Sequence, residues 1–229
     1  MTGGAVSAPW REGRSPAATF PDAIPELPVV EAARALLGCV LVSTAGGART
    51  AGVIVETEAY GGADDPASHA STRRGRTQRN RVMFGPAGRA YVYRSYGMHW
   101  CMNVVTGPEG IAQAVLIRGV DPIEGEDAME RRRSGASPLT AGPGRLCAAL
   151  AISDELYGHD LREPPLQLLR GWAVPDELVG ASKRVGVARA QDWPHRFFVR
   201  GSVGVSRPEG WGKPASGPGR RGSRRGTRV

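Results

Sequence analysis

The sequence predicts an α+β fold: a single domain with an antiparallel β-sheet and flanking helices. Two observations lead there. Apolar runs of strand type follow one another across short links, which suits antiparallel neighbours better than parallel crossovers. Helical apolar spacing with capping residues appears beside these runs rather than alternating with them. The length of 229 residues fits one domain with a real core, and the hydrophobic fraction of 41% is ordinary for a globular chain.

The elements follow in order. Residues 1–20 are rich in Gly, Ala, Ser and Pro and are expected to be disordered. Pro28 to Leu37 places Val29, Ala33 and Leu36 at helical spacing, with Gly38 at the C-cap position. Cys39 to Ser43 reads as a strand, Thr44 to Gly47 as a turn, and Ala51 to Tyr60 as the returning strand of a hairpin. A loop rich in Gly, Asp and Arg runs from Gly61 to Arg81. Arg89 to Arg94, His99 to Val105 and Gln113 to Gly119 read as three further strands. Asp121, with Pro122 in the first turn, is expected to cap a helix reaching Arg133. Gly142-Pro143-Gly144 precedes a second helix to Ile152, and Arg196 to Arg200 reads as a last strand. The domain is expected to span 21–206, with a disordered basic tail over 207–229.

Thirty basic against 22 acidic residues give a formal charge of +8 and a pI near 10.1. That balance favours a polyanionic partner, nucleic acid first and an anionic membrane second. Lys183 and Lys213 are the only lysines, so nearly all the positive charge is guanidinium. Cys39, Cys101 and Cys147 are odd in number and form no CxxC pair, which fits a reducing compartment and disfavours a disulfide framework or a four-cysteine zinc site. No apolar run approaches the length of a membrane helix. Trp10-Arg11-Glu12 stands where a signal peptide would need its apolar stretch. The expectation is a cytoplasmic protein without membrane association.

Strand alternation sorts the polar residues. Ile54, Glu56, Glu58 and Tyr60 are expected on one face of their strand, with Val53, Val55 and Thr57 on the other. A carboxylate beside a tyrosine at the end of an apolar strand is a candidate general base; a wet edge strand explains that segment taken alone better. The neighbouring strands add Tyr91 and Tyr93 on one face, Cys101 and Asn103 on one face, and Leu116 with Arg118. One sheet can therefore present Glu58, Tyr60, Tyr93, Asn103 and Arg118 to a common pocket, a set suited to a flat, stacked, hydrogen-bonding ligand such as a nucleobase. In the turn Ser95-Tyr96-Gly97-Met98, Tyr96 reads either as folded back on the surface or as a wedge that enters a base step. The arginines at 73, 74, 76, 79 and 81 form a basic loop dense enough to favour phosphate contact. Gly142 to Arg145 opens a helix whose free N–H groups can hold a phosphate, although such punctuation before a helix is common.

Other chemistries find little support. His99 and Cys101 lack a second ligand pair at zinc spacing, and no P-loop, dinucleotide fingerprint or nucleophile elbow is present. No lysine lies near the pocket strands, which argues against Schiff-base lyase chemistry.

Seven signals then stand in order: ETEAY (Glu56 to Tyr60), a histidine nine residues on (His69), RNRVMF (Arg79 to Phe84), YVYRSYGMHWCMN (Tyr91 to Asn103), LIRGVDPIEG (Leu116 to Gly125), GPGRLCAAL (Gly142 to Leu150) and RFFVRG (Arg196 to Gly201). Together they resemble the alkyladenine (3-methyladenine) DNA glycosylases over roughly Pro28 to Ser206. The resemblance implies a curved antiparallel sheet and a monofunctional DNA-repair enzyme. Such an enzyme flips alkylated or deaminated purines out of duplex DNA and hydrolyses the N-glycosidic bond, leaving an abasic site. It implies Glu58 as the base that activates water, with Arg118 as its partner. It further implies Tyr60, His69 and Tyr93 around the flipped base, Asn103 against the amino group of normal guanine, and Leu116 as a pocket wall. Tyr96 corresponds to the intercalating wedge, with Met98 beside it. Arg79, Arg81, Gly144 and Arg145 are the candidate phosphate contacts. No metal and no organic cofactor is implied. The expected partner is double-stranded DNA carrying damaged purines, met by a monomer in the cytoplasm, at the nucleoid in a bacterium. Two rivals are a non-catalytic nucleic-acid-binding module of the same fold and a helix-hairpin-helix glycosylase, which would be mostly helical.

Overall fold

The structure, a computed structural model, describes residues 9–12, 15–71 and 75–207. Among these the chain order is α1 (Ala23–Glu26), α2 (Val29–Ala35), β1 (Val40–Ser43), β2 (Thr50–Tyr60), β3 (Ala90–Ser95), β4 (His99–Val105), β5 (Ala114–Glu124), α3 (Glu126–Arg132), α4 (Pro143–Ala149), β6 (Leu166–Leu169), β7 (Val179–Ser182) and β8 (Arg196–Val199). The strands form one antiparallel sheet in the order β3-β4-β5-β2-β1-β6, with β8 paired to both β2 and β7. The α+β class predicted from the sequence is the one the chain adopts.

β2 is the spine. Along one edge it pairs with β5 throughout; along the other its first half pairs with β1 and its second half, Glu56 to Glu58, with β8. One face of the sheet carries the main core. Val92, Met102, Val104, Val115 and Ile117 lie there against Ala32, Ala33 and Leu36 of the α2 region and Leu146, Cys147 and Ala149 of α4. The other face, over β3, β4 and β5, carries Tyr91, Val105 and Ala114 in a smaller cluster with Met83 and Ala70. Thr57 ties β2 to α2 by donating its hydroxyl to the Ala33 carbonyl at 2.7 Å.

Two expectations are corrected by this geometry. The first is the single face assigned to Ile54, Glu56, Glu58 and Tyr60. Val55 is the extra residue of a bulge between the pairs Ile54↔Val120 and Glu56↔Gly119, so alternation resets there. Ile54 and Val55 both enter the main core, whereas Val53 packs with Val40, Val42 and Ala51 in a separate cluster. The second is the helix capped by Asp121. β5 continues through Asp121 and Pro122 to Glu124, and α3 starts only after Gly125, at φ +74°. The Asp121 carboxylate is used elsewhere: it accepts the Gly204 N–H at 2.9 Å and Arg11 at 3.1 Å. Pro122 falls at a register irregularity opposite Gly52, where its missing N–H is tolerated. The short strands β6 and β7 and the turn of helix α1 gave no pattern strong enough to be read from the sequence.

Within residues 1–20, Pro9–Arg11 form a 3-10 turn, Trp10 packs against the core, and the Thr19 carbonyl accepts the Arg170 N–H. Residues 1–8, 13–14 and 208–229, on which the remaining expectations of disorder fall, lie outside the described residues. So do Arg73 and Arg74 of the basic loop. No helix among the described residues is long and apolar enough to cross a membrane.

Candidate active site

The second half of β2 brings two carboxylates to one face, Glu56 and Glu58, both without exposed surface. Opposite them Arg118 is the extra residue of a second bulge, between the pairs Glu56↔Gly119 and Thr57↔Ile117. That bulge turns its side chain toward both acids. Arg118 Nε donates to Glu56 Oε1 at 2.8 Å, and its Nη1 lies 3.3 Å from Glu58 Oε2. Its Nη2 donates to the Ser206 hydroxyl at 3.1 Å. Burial works against the charged form of Arg118, but Glu58 and Glu56 outweigh it and hold the guanidinium firmly protonated.

Glu56 is saturated with donors. Oε1 accepts Arg118, Arg196 Nε at 2.7 Å and the Ser206 hydroxyl at 2.9 Å; Oε2 accepts the Ser206 N–H at 2.6 Å. Burial pushes its carboxyl up, yet Arg118, Arg196 and the Ser206 amide hold it below the usual carboxylate range. Glu58 has a lighter set. Oε2 accepts the Tyr60 hydroxyl at 2.8 Å, and Oε1 accepts the Val185 N–H at 2.6 Å. A carboxylate oxygen offers about two lone-pair sites, so Oε1 of Glu58 can accept one more donor, as Oε1 of Glu56 cannot.

Cross-strand pairing lays out the pocket floor. Glu58 pairs with Leu116, Leu116 with Asn103, and Asn103 with Tyr91, one row across β2, β5, β4 and β3. Tyr93 pairs with Cys101 in an adjacent row. Above this floor is a cavity of about 850 Å³ lined by Tyr60, His69, Tyr93, Asn103, Leu116 and Arg118, among others. Its volume admits a purine with its sugar. Glu58 lies one layer behind the lining, under Tyr60, Leu116 and Arg118. His69 accepts from or donates to the Tyr91 hydroxyl at 2.8 Å and stands edge-on to Tyr93 with centroids 4.5 Å apart. Asn103 is fixed by donating Nδ2 to the Tyr91 carbonyl at 2.9 Å. Burial pushes the hydroxyls of Tyr60 and Tyr93 well up, so both stay protonated; Glu58 adds to the effect at Tyr60 and Cys101 at Tyr93.

The rim is more dispersed. The β3–β4 turn holds Tyr96 at φ +48° and Gly97 at φ +69°, and the Met98 N–H donates to the Ser95 carbonyl. Both central residues are left-handed, the type I′ geometry of tight hairpins. Tyr96 is 87% exposed at the mouth of the cavity and Met98 is 69% exposed, so Tyr96 is not folded back on the surface. Arg79 also lines the mouth. It lies over the Tyr93 ring at 5.1 Å and donates to the Arg94 carbonyl at 2.9 Å. Arg81 is exposed and sits over Tyr157 at 5.9 Å, outside the lining. Arg145 is exposed and donates to the Ala141 carbonyl, whereas Gly144 is packed so closely on His99 that a Cβ would lie 2.9 Å from it. The fold thus gathers Glu58, Tyr60, His69, Tyr93, Asn103, Leu116 and Arg118 at one place. It does not gather Arg81, Gly144 and Arg145 there.

Several contributors gave no local signal in the sequence. Arg184 forms a buried two-pronged ion pair with Asp65, at 2.5 and 2.9 Å, and stacks over Tyr60 at 4.7 Å. This pair fastens the loop after β2 to the segment that carries Val185, and so delivers the Val185 N–H to Glu58. Arg196 and Ser206 reach Glu56 from far along the chain. The C-terminal segment can approach because Gly119 and Gly204 touch: a Cβ on Gly119 would lie 1.9 Å from the Gly204 carbonyl oxygen. Of this group, only the strand positions of Glu56 and Arg196 are legible in the sequence.

The sequence comparisons place this site in a known family. The methylpurine-DNA glycosylase family profile matches residues 24–203. The chain belongs to the methylpurine-DNA glycosylase family. Its relatives include provisionally named 3-methyladenine DNA glycosylases at high identity. That of Methanoculleus marisnigri is 50% identical over 195 residues, covering 82% of this chain and 99% of the relative. That of Agrobacterium fabrum is 49% identical over 183 residues, covering 78% and 87%. That of Anaeromyxobacter dehalogenans is 53% identical over 180 residues, covering 77% and 81%. The matched region holds β1 to β8 and every cavity residue named above, and DNA is the substrate that the family name implies.

Proposed function

We propose that the chain is a monofunctional DNA glycosylase that takes damaged purines, alkylated or deaminated, out of duplex DNA and hydrolyses the bond between base and sugar. The observation that carries this reading is the placement of Glu58 directly behind a cavity walled by Tyr60, His69 and Tyr93 and floored by Asn103 and Leu116. A base within a duplex is out of reach, so the nucleotide must rotate out, at a cost of a few kcal/mol. Tyr96, with Met98 beside it, fills the vacated stack and offsets part of that cost. Arg79, and farther out Arg81 and Arg145, supply guanidinium charge to the phosphates.

Once in the cavity, the base stacks against aromatic rings for about 1–3 kcal/mol. A cationic alkylated ring gains more from the same faces. Water held at Oε1 of Glu58 attacks the anomeric carbon; the bond from that carbon to the purine nitrogen breaks, and its electron pair leaves with the base. Glu58 takes the proton from the water, and its charge stabilises the oxocarbenium-like sugar on the way. An alkylated cation leaves as a neutral molecule and needs no acid, which makes this the class the site suits best. With no lysine among the described residues that line the cavity, the product is an intact strand bearing an abasic site.

Incubation of the protein with a duplex carrying one 7-methylguanine tests the reading. Free base should appear with the strand unbroken until alkali is added, and borohydride should trap no covalent adduct. Tight binding without base release would instead favour the non-catalytic binding module.

A further inference from the structure

We propose that Glu56 is a positioning residue for Glu58: its carboxylate fixes Arg118 and shares that guanidinium's charge, so that a single arm of Arg118 is presented to Glu58. The proposal rests on the reading of Glu58 given above and deepens it.

Geometry is the first argument. Arg118 has five N–H donors in a rigid plane. Its Nε is held by Glu56 and its Nη2 by Ser206, itself bound to Glu56 through both hydroxyl and amide. With two corners anchored there, the plane can turn only its Nη1 arm toward Glu58. The bulge that makes Arg118 an extra residue on β5 sits beside Glu56, so the backbone irregularity and the ion pair serve the same aim.

Charge is the second argument. Glu56, Glu58, Arg118 and Arg196 form a buried group of two anions and two cations. Buried ion pairs are a poor way to join strands, since apolar replacements of similar volume are often as stable or more so. Their effect on Glu58 is specific: Glu56 divides the attraction of Arg118, so the guanidinium is not drawn wholly onto Glu58. On β2 the other group facing Glu58 is Tyr60, kept neutral. From β3 and β4 come Tyr93 and Cys101, likewise kept neutral by burial. From β8 comes Arg196, which touches Glu56 rather than Glu58. From the loops come Arg184 and Asp65, paired with each other over the Tyr60 ring. Among the described residues that touch Arg118, Glu56 is the one anion besides Glu58 itself.

Single-turnover release of 7-methylguanine, measured beside duplex affinity, separates a positioning role from a structural one. In Glu56→Gln the whole attraction of Arg118 falls on Glu58. The rate should fall at least tenfold while duplex affinity changes less than twofold. In Arg196→Gln the buried group is broken as well, but Glu56 still holds Arg118, and the rate should be little changed. Glu56→Asp keeps the charge but not the reach, and should lose less rate than Glu56→Gln. An unchanged rate in Glu56→Gln overturns the proposal; if that variant does not fold, a tenfold loss in Arg196→Gln overturns it, since any break in the buried group would then suffice. Absence of release by wild type would fail the glycosylase reading itself, and the proposal with it.

Discussion

Tyr60 donates its phenolic hydroxyl to Oε2 of Glu58 across 2.8 Å, although the two residues stand only two positions apart on one strand. Tyr60 is a neutral donor that holds the carboxylate in place, and a hydrogen bond to a charged group contributes about 1.5–3 kcal/mol. Removing the donor while keeping the ring leaves Oε2 of Glu58 to Arg118 alone. Tyr60→Phe is expected to lower the single-turnover rate of base release at least tenfold, with affinity for damaged duplex changed less than twofold. A rate measurement beside a binding titration checks both.

Asn103 sits between Leu116 and Tyr91 on the cavity floor, with its amide pinned to the Tyr91 carbonyl. A pinned side chain cannot move aside for an extra exocyclic group, and exclusion of this kind is how a pocket rejects a close analogue. Asn103→Ser is expected to release guanine from undamaged duplex measurably above wild type, with the rate on 7-methylguanine little changed. Chromatography of the freed bases reads the ratio directly.

Tyr96 combines full exposure with a left-handed backbone, a conformation that costs a non-glycine residue about 1–2 kcal/mol. Replacing it with glycine removes both the strain and the ring. Tyr96→Gly should melt no lower than wild type, yet lose at least tenfold in release from paired duplex. Unchanged release would remove Tyr96 from the extrusion step.

Asp65 and Arg184 are a buried pair with no apparent part in the chemical step, but they place Val185 against Glu58. Breaking such a pair typically costs about 3–5 kcal/mol. Asp65→Asn should lower the melting temperature sharply. Burial pushes the Asp65 carboxyl up, but Arg184 and the Ala67 and Gly61 amides outweigh it and hold it below its usual range. A lowered folded-state value means that this stability is present above the unfolded value, about pH 4, and is lost as pH falls toward the folded value. Wild type should therefore lose stability steeply below about pH 4, and Asp65→Asn less so over the same window. Thermal melts from pH 2 to 7 test the sign.

What the sequence made legible was what local periodicity can encode. The strands between Ala51 and Gly119, and the gathering of Glu58, Tyr60, Tyr93, Asn103 and Arg118 at one pocket, follow from alternation and short links. The bulges at Val55 and Arg118 were not legible, because a bulge is decided by the pairing of two strands and not by either alone. Asp121-Pro122 looked like a helix start because capping signals are local. Pairing with β2 and the bonds to Gly204 and Arg11 took those residues into the sheet instead. The links from Arg184 to Asp65 and from Arg196 and Ser206 to Glu56 join positions more than 100 residues apart, and only the folded chain shows them.

The most direct test of the account is single-turnover release of 7-methylguanine from duplex DNA by wild type and by Glu58→Gln, with duplex affinity measured for both. Wild type should release the base, and the variant should bind within twofold while its rate falls by about a hundredfold or more, the scale of a lost general base. Equal release by the two proteins would contradict the assignment of Glu58 and the mechanism built on it.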